Sequence, residues 1–343
     1  MKHFNIFRGS VLTLLLICCN AVWAYDIEVD GIYYNILSTA NLTVEVTQGG
    51  KEYSGDIVIP STITYKSRVF TVGSIGENAF YYCIDLTSVT IPNSVTSIGQ
   101  KAFSYCVSLR SIEIPNSMSS IASCMFKNCT GLKSIKISNS VSRIEQSVFE
   151  GCTSLTSIEI PSSVTRIGEK AFEGCSGLTS IEIPNSVTRI EAETFRECTN
   201  LTSVEIPNSV TSIGASAFIG CMAITSITIP KSVQQIKDGA FFDCKALKSI
   251  YVMAETPPSA YSVFKNELYM DAVLYVPNGC LEAYQNAEVW KEFWDIREFD
   301  TTSIGDVKTD NENTTTVYDL NGRVVENPTN GIYIINGKKV LLK

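Results

Sequence analysis

LTSIEIPSSVTRIGEKAFEGC, residues 155–175, is the stretch that decides the fold, because it returns in altered form every 23 residues. The register is clearest in two columns. Phenylalanine occupies one column, at Phe80, Phe103, Phe126, Phe149, Phe172, Phe195, Phe218 and Phe241. Cysteine follows three residues later in every unit, at Cys83, Cys106, Cys129, Cys152, Cys175, Cys198, Cys221 and Cys244. A fixed period of a few tens of residues predicts a stacked repeat rather than a globular domain.

Within one unit, the pattern predicts a short strand, a turn, a second short strand and an irregular or short helical return. Ile158, Glu159 and Ile160 alternate as strand residues do, and Pro161 ends the strand because it cannot donate to a ladder. The apolar positions that face one interior are Val164, Ile167, Phe172, Cys175, Leu178, Ile181 and Ile183. One unit alone leaves both faces of this layer uncovered, so stability requires stacking. The predicted fold is therefore a repeat solenoid made mainly of short parallel strands.

Composition divides the chain into six predicted segments. They are a secretory signal peptide (1–24), an N-terminal β cap (25–70), an array of eight units (71–250), a C-terminal cap with a short helix (251–300), a linker (301–316) and a β-hairpin tail (317–343). In the first segment, Lys2 and Arg8 flank an apolar run that is too short to cross a bilayer. Cleavage is expected after Ala24. A lipid anchor on Cys18 or Cys19 is the disfavoured alternative, because neither follows a small residue.

The caps and the tail depart from the repeat in recognisable ways. The N-terminal cap carries a nine-residue insertion, Ile63 to about Thr71. The turn sequences Asn321-Gly322 and Asn336-Gly337 predict two hairpins in the tail. In the C-terminal cap, aromatic and apolar residues at helical spacing are expected to cover the open end of the interior, with ligand stacking as the alternative: Leu281, Tyr284, Trp290, Phe293 and Trp294.

The unit L-x-S-I-x-I-P-x-S-V-x-x-I-G-x-x-A-F-x-x-C resembles the BspA-type leucine-rich repeat of bacterial surface proteins, over about residues 57–277. The tail is similar to the end of the sorting domain of the type IX secretion system, although it is shorter. The resemblance implies a protein that is secreted or displayed on the bacterial cell surface. It also implies adhesion or binding of host matrix or cell-surface proteins, other bacterial cells or glycans, without identifying the ligand.

Composition argues against several functions. The formal net charge of −8 is unsuited to nucleic-acid binding, which needs a basic surface. The single histidine is His3, in the predicted signal peptide, so the mature chain is expected to lack histidine-based catalysis and histidine metal sites. We therefore predict no enzyme activity, no cofactor and no metal.

The cysteine column admits two interpretations. Equivalent residues one turn apart have Cα atoms about 5 Å apart, which permits disulfides. Their Cβ vectors are parallel, however, so the pattern favours buried free thiols that pack as small apolar groups. Zinc ligation is disfavoured because the CxxC spacing is missing. Cys124 shares its position with Lys101 and Lys170 and is expected to be exposed, with pairing between molecules as an alternative, and Cys280 is expected to begin the capping helix.

Two columns of outward residues carry charge. The first-strand column contains the candidate binding residues Glu113, Lys136, Glu159, Glu182, Glu205 and Tyr251. The second-strand column contains Arg143, Arg166 and Arg189. These acidic and basic stripes are either solvated faces that prevent aggregation or surfaces for a partner. Neighbouring carboxylates also resemble a glycosidase pair, but an open sheet offers no pocket to adjust their pKa.

Two further sets of residues were considered as sites. An unbroken serine column is predicted to be architectural, its hydroxyls bonding to the backbone or to each other: Ser88, Ser111, Ser134, Ser157, Ser180, Ser203, Ser226 and Ser249. Glycan binding by an accessory protein is the alternative function. Its candidate aromatic platform is Tyr251, Tyr261 and Tyr269.

Overall fold

The computed structural model describes residues 25–300 and the backbone of three later strands, Val317–Tyr318, Gly331–Ile335 and Lys338–Leu342. The repeats wind as a solenoid in which equivalent strands pair in parallel. Ser111 lies opposite Ser134, and Arg143 lies opposite Arg166, each 23 residues away. This pairing confirms the predicted repeat solenoid. The predicted signal peptide and linker lie outside the described residues.

Two lines of strands run along the solenoid. The first-strand line consists of Gly55–Val58, Leu86–Thr90, Ser111–Glu113, Ser134–Lys136, Ser180–Glu182, Ser203–Glu205, Ser226–Ile229, Ser249–Val252, Val273–Pro277 and Asp295–Phe299. The second-strand line consists of Ser97–Ile98, Ser120–Ile121, Arg143–Ile144, Arg166–Ile167, Arg189–Ile190, Ser212–Ile213, Gln235–Ile236 and Ser259–Ala260. Return segments without regular secondary structure connect the second strand of most turns to the first strand of the next.

The N-terminal cap is a small sheet that merges with the array. Ile27–Val29, Ile32–Ser38 and Thr43–Thr47 form its antiparallel part. The inserted residues form a hairpin of Thr62–Tyr65 with Arg68–Ile75, whose turn residues Lys66 and Ser67 have φ of 48° and 60°. Arg68–Ile75 also pairs with Ser97–Ile98, so the cap continues directly into the second-strand line.

Aromatic residues close the C-terminal end, as the sequence predicted for most of them. The helices here are α1, Asn266–Asp271, and α2, Leu281–Gln285, followed by a 3-10 turn, Trp290–Glu292. Tyr284 and Trp290 are fully buried, and their polar atoms bond to the carbonyls of Ala254 and Pro258 at 2.6 and 2.9 Å. Trp294 was wrongly placed in this cluster, because its side chain is 79% exposed. The chain leaves the helical geometry before Trp294 and continues as the strand Asp295–Phe299.

A continuous stack of phenylalanine rings fills the interior. Neighbouring rings have centroids 5.0–5.8 Å apart and are inclined by 1–18°. Phe264 adds a ninth ring to the eight in the sequence column. Tyr53 covers the first ring at 4.6 Å, and Phe293 meets the last ring edge-on at 5.3 Å. The stack therefore runs without a gap from one cap to the other.

The cysteine column is a second internal ladder, and its thiols are free and buried, as predicted. Seven of the eight, from Cys106 to Cys244, donate S–H hydrogen bonds to a phenylalanine carbonyl 26 residues earlier, at 3.0–3.2 Å. Cys175, for example, bonds to the carbonyl of Phe149. Each thiol thus satisfies a buried acceptor of the preceding turn, which an alanine or valine at this position would leave unpaired.

In the tail, the hairpin predicted at Asn336-Gly337 is confirmed. Gly331–Ile335 pairs antiparallel with Lys338–Leu342, and Ile335 lies opposite Lys338, so the loop has two residues. Val317–Tyr318 pairs with the other edge of Gly331–Ile335. The turn at Asn321-Gly322 lies outside the described residues.

Truncating one ring of the stack should destabilise the whole solenoid. We expect Phe172→Ala to lower the free energy of unfolding by about 3–5 kcal/mol, because it removes a fully buried aromatic side chain and leaves a cavity. Urea titration monitored by circular dichroism measures this loss. Ser180→Ala, at an exposed position one unit on, is the control and should stay within about 0.5 kcal/mol of the wild type. An equal effect of the two variants would contradict the central role of the stack.

The cysteine ladder should resist alkylation in the folded protein. Burial raises the pKa of Cys129, Cys175 and Cys244 to about 12, so these thiols stay protonated where an unfolded thiol, with a pKa near 9.0, is half ionised. Mass spectrometry after iodoacetamide treatment at that pH should show modification of the half-buried Cys124 and Cys280 only, among the ten described cysteines. Denaturant should expose all ten to the reagent. Rapid native modification of the ladder would contradict the buried arrangement.

Candidate functional site

The outward side chains of the first-strand line form one surface, here called the first-strand face. The parallel register places Lys136 beside Glu113 and Glu205 beside Glu182. These four side chains and Glu159 are exposed, whereas Tyr251, farther along the same column, is half-buried. The structure thus brings the acidic stripe named from the sequence onto a single open face.

Pairing separates this stripe into a neutralised part and a free part. Lys136 Nζ lies 2.5 Å from Glu113 Oε1, and both side chains are well exposed, so the pair contributes little stability. In the described part of the chain, Glu159, Glu182 and Glu205 have no salt bridge. Three carboxylates in neighbouring turns therefore present uncompensated negative charge, a repulsive arrangement in a sheet.

The ladder of first strands is interrupted in the middle of this free part. Residues 155–160 form no strand, and the strands on either side of them belong to separate sheets. Within the described backbone, one hydrogen bond links this stretch to the next turn, from Thr179 N to Thr156 O at 3.2 Å. A shallow groove lies here, with Ser157 and Glu159 on one side and Ser180 and Glu182 on the other.

The arginine column lies on the second-strand line and is largely neutralised by carboxylates that the sequence reading missed. Arg143 Nε is 3.1 Å from Glu145, and Arg166 lies 3.9 Å from both Glu145 and Glu191. Of the three arginines, Arg189 is without a salt bridge among the described residues. Glu145 and Glu191 occupy one column, two residues after the arginine column, and that spacing was available in the sequence.

A third set of charges, on the return segments, was also missed. Lys170 Nζ approaches Glu173 and Glu193 at 3.5 and 3.2 Å. Arg196 approaches the same two carboxylates at 3.3 and 3.5 Å. This network joins neighbouring turns through partly exposed pairs. It is best explained as support for the stack rather than as a site.

The serine column named from the sequence does not form the predicted hydroxyl ladder. Most of its members are exposed, and within the described chain only Ser88 uses its hydroxyl, donating to Asp56 Oδ1 at 2.6 Å. These serines precede the inward isoleucine, and strand alternation turns them outward. A different column forms the ladder: the serines after the strand-ending proline donate to the carbonyl of a residue 22 positions earlier, at Ser117, Ser140, Ser163, Ser186 and Ser209.

The three tyrosines proposed as a glycan platform do not assemble into one. Tyr251 stacks on Tyr275, with centroids 4.5 Å apart and planes inclined by 10°, so one ring face of each is covered. Tyr269 packs edge-on against Phe264 and Phe293 in the C-terminal cap. Tyr261 is 66% exposed and has no ring partner among the described residues.

Three remaining expectations concern cysteines, metals and membranes. Cys124 is half-buried rather than exposed, because it lies at a left-handed turn residue, φ 57°, tucked between return segments. Residues 25–300 contain no cluster of side chains suited to hold a metal ion. Within the described chain, no helix is both long enough and apolar enough to span a bilayer.

The parallel strands, the 23-residue period and the apolar stack define a bacterial-type leucine-rich repeat solenoid. A family model for the BspA type leucine rich repeat region matches six copies, over residues 73–184 and 166–276. The chain therefore belongs to the BspA-type leucine-rich repeat family.

Solved structures of bacterial proteins share this fold. A leucine-rich repeat protein from Bacteroides ovatus is 29% identical, with 80% of this chain and 77% of that chain covered and a TM-score of 0.62. A leucine-rich repeat protein from T. pallidum is 31% identical, with 58% of this chain and 90% of that chain covered and a TM-score of 0.52. No curated protein matches the sequence.

The interrupted ladder should be visible in hydrogen exchange. We expect the amides of Ser157–Ile160 to exchange faster than those of Ser203–Glu205, because only the latter segment lies in a paired sheet of the first-strand line. The two segments have nearly the same sequence, so intrinsic exchange rates are closely matched. Peptide-resolved mass spectrometry measures the difference, and equal protection would show that the ladder is continuous in solution.

Proposed function

We propose that this protein is exported to the bacterial cell surface or beyond and binds other proteins through its first-strand face. The partner is a host matrix protein, a host cell-surface protein or a surface protein of another bacterium, and it presents a basic segment. The observation that carries this proposal is the row of three exposed, unpaired carboxylates at Glu159, Glu182 and Glu205.

Charge supports a basic partner. Like charges in adjacent strands repel, so an uncompensated row costs stability unless a partner uses it. The formal net charge of the chain is also negative, at −8, which favours approach of a cationic segment over a long range. The groove between Glu159 and Glu182 gives such a segment a place to lie across two turns.

The design of the repeat supports binding rather than catalysis. The residues that recur in every unit point inward or bond to the neighbouring turn. The variable residues point outward, on an open surface without an enclosing pocket around the carboxylates. An extended, rigid surface with variable side chains suits recognition of a macromolecule.

Export is supported by the sequence at both ends. Residues 1–24 have the features of a signal peptide, and residues 317–343 resemble part of a type IX sorting domain. The BspA-type family is one of bacterial surface proteins by resemblance, so adhesion is the role that best joins these features. The geometry of Tyr251, Tyr261 and Tyr269 gives the alternative, glycan binding, no specific support.

Neutralising the free carboxylates should weaken binding. We expect the triple variant Glu159→Gln, Glu182→Gln, Glu205→Gln to lose about tenfold or more in affinity for the matrix protein or cell that the wild type binds, because charge complementarity is removed. Surface plasmon resonance against immobilised matrix proteins and binding to whole cells measure this loss. Binding by the wild type should also weaken as the salt concentration rises.

A matched control separates the stripe from net charge. Glu77, Glu255 and Glu288 are exposed and form no salt bridge within the described residues. Their triple glutamine variant changes the net charge by the same amount and should bind as the wild type does. Equal losses in both triple variants, or saturable binding that ignores the stripe, would contradict the proposed face.

A further inference from the structure

Three tyrosines form an exposed cluster on the return segments, away from the first-strand face. This tyrosine patch consists of Tyr81, Tyr82 and Tyr105, with ring centroids 5.7–6.2 Å apart. Tyr82 is 53% exposed, and the other two are half-buried. The rings are inclined to each other by 37–73°, so they enclose clefts instead of forming a flat platform.

The backbone at two of these tyrosines is costly. Tyr82 and Tyr105 have φ of 62° and 64°, in the left-handed region. A residue with a bulky side chain pays about 1–2 kcal/mol there, which glycine does not. Elsewhere in the array the same column contains Asn128, Gly151, Gly174, Glu197, Gly220 and Asp243.

Burial does not explain why tyrosine occupies these two positions. The exposed fraction of Tyr82 exceeds one half, so packing offsets little of the backbone cost. Strained residues that the fold does not require are concentrated at functional sites. The two tyrosines are therefore best explained by contact with a partner.

Apolar exposure continues two residues farther along the same turns. Ile84 and Val107 are 38% and 37% exposed. In the next four turns this column changes to hydroxyl residues, at Thr130, Thr153, Ser176 and Thr199. The apolar surface is thus confined to the first two turns of the array.

The size and chemistry of the surface limit its occupant. It exposes on the order of 300 Å² of apolar area, typical of a functional patch. A stable interface between folded proteins needs about 800 Å² per partner, so a second copy of this chain does not fit the observation. The patch itself contains no charged side chain, which separates it from the acidic stripe.

The tilted rings favour one kind of segment. We propose that the tyrosine patch binds an uncharged, proline-bearing segment of a partner protein in an extended conformation. Proline rings insert between inclined aromatic rings, and a polyproline II segment is already ordered before it binds. A sugar would need an open, coplanar ring surface and several fixed polar groups. This site is independent of the first-strand face.

The glycine residues of the same column supply a test that preserves the fold. The double variant Tyr82→Gly, Tyr105→Gly removes the patch and relieves the backbone, so its urea unfolding midpoint should equal or exceed that of the wild type. Fluorescence anisotropy with labelled decaproline and the full chain should show saturable binding by the wild type. We expect the double variant to bind about tenfold or more weakly, the range of interface hot spots.

Controls define the outcomes. Glu197→Gly makes the same change in the same column far from the patch and should bind decaproline normally, as should the triple glutamine variant of the first-strand face. A glycine-serine peptide of equal length should not bind. The proposal is overturned if the wild type does not bind decaproline, if the double variant binds it equally well, or if maltohexaose binds in a tyrosine-dependent way and decaproline does not.

Discussion

The structure depends on the contact between one phenylalanine ring and the next. No single turn encloses a core, because each ring has its two faces open until a neighbouring turn covers them. The 5.0–5.8 Å spacing of the rings is compatible with the spacing of parallel strands, so ring stacking and backbone pairing reinforce each other. The caps then have one requirement in common: each must offer an aromatic surface to a terminal ring. Tyr53 does so at one end, and Phe293 does so at the other.

The thiol ladder makes this stacking directional. Each cysteine reaches back to the carbonyl of the phenylalanine in the preceding turn, so the apolar stack is bound to a line of hydrogen bonds. A larger residue would separate the turns, and a smaller apolar one would leave the carbonyl unpaired. The inward positions are therefore closely constrained. Outward positions carry no such requirement, which is why the charge pattern changes from turn to turn while the interior does not.

The period, the phenylalanine stack and the buried thiols followed from the sequence because repetition reveals them many times over. Features that occur once were harder to predict. Phe264 was left out of the array because Glu267 replaces the cysteine that normally follows. Trp294 was assigned to the cap because helical spacing was extended past the point where the chain becomes a strand. Glu145 and Glu191 were missed because each column was considered alone, although their carboxylates neutralise the adjacent column. The break at residues 155–160 has no local signal, since Ser157-Ile-Glu159 repeats the residues of paired strands elsewhere.

Left-handed residues show where the chain accepts a conformational cost. Every return segment contains two such positions, four residues apart, as at Lys101 and Tyr105, and their amides bond to carbonyls of the next turn at 3.1 and 2.8 Å. The conformation is thus required by stacking, whatever side chain is present. Glycine meets the requirement at the lowest cost, so any bulky residue there has to be explained by something other than the fold. Salt bridges explain Lys170 and Glu197, which pair across the return segments. No such partner explains the exposed ring of Tyr82, and this difference separates side chains that support the solenoid from those that are available for recognition.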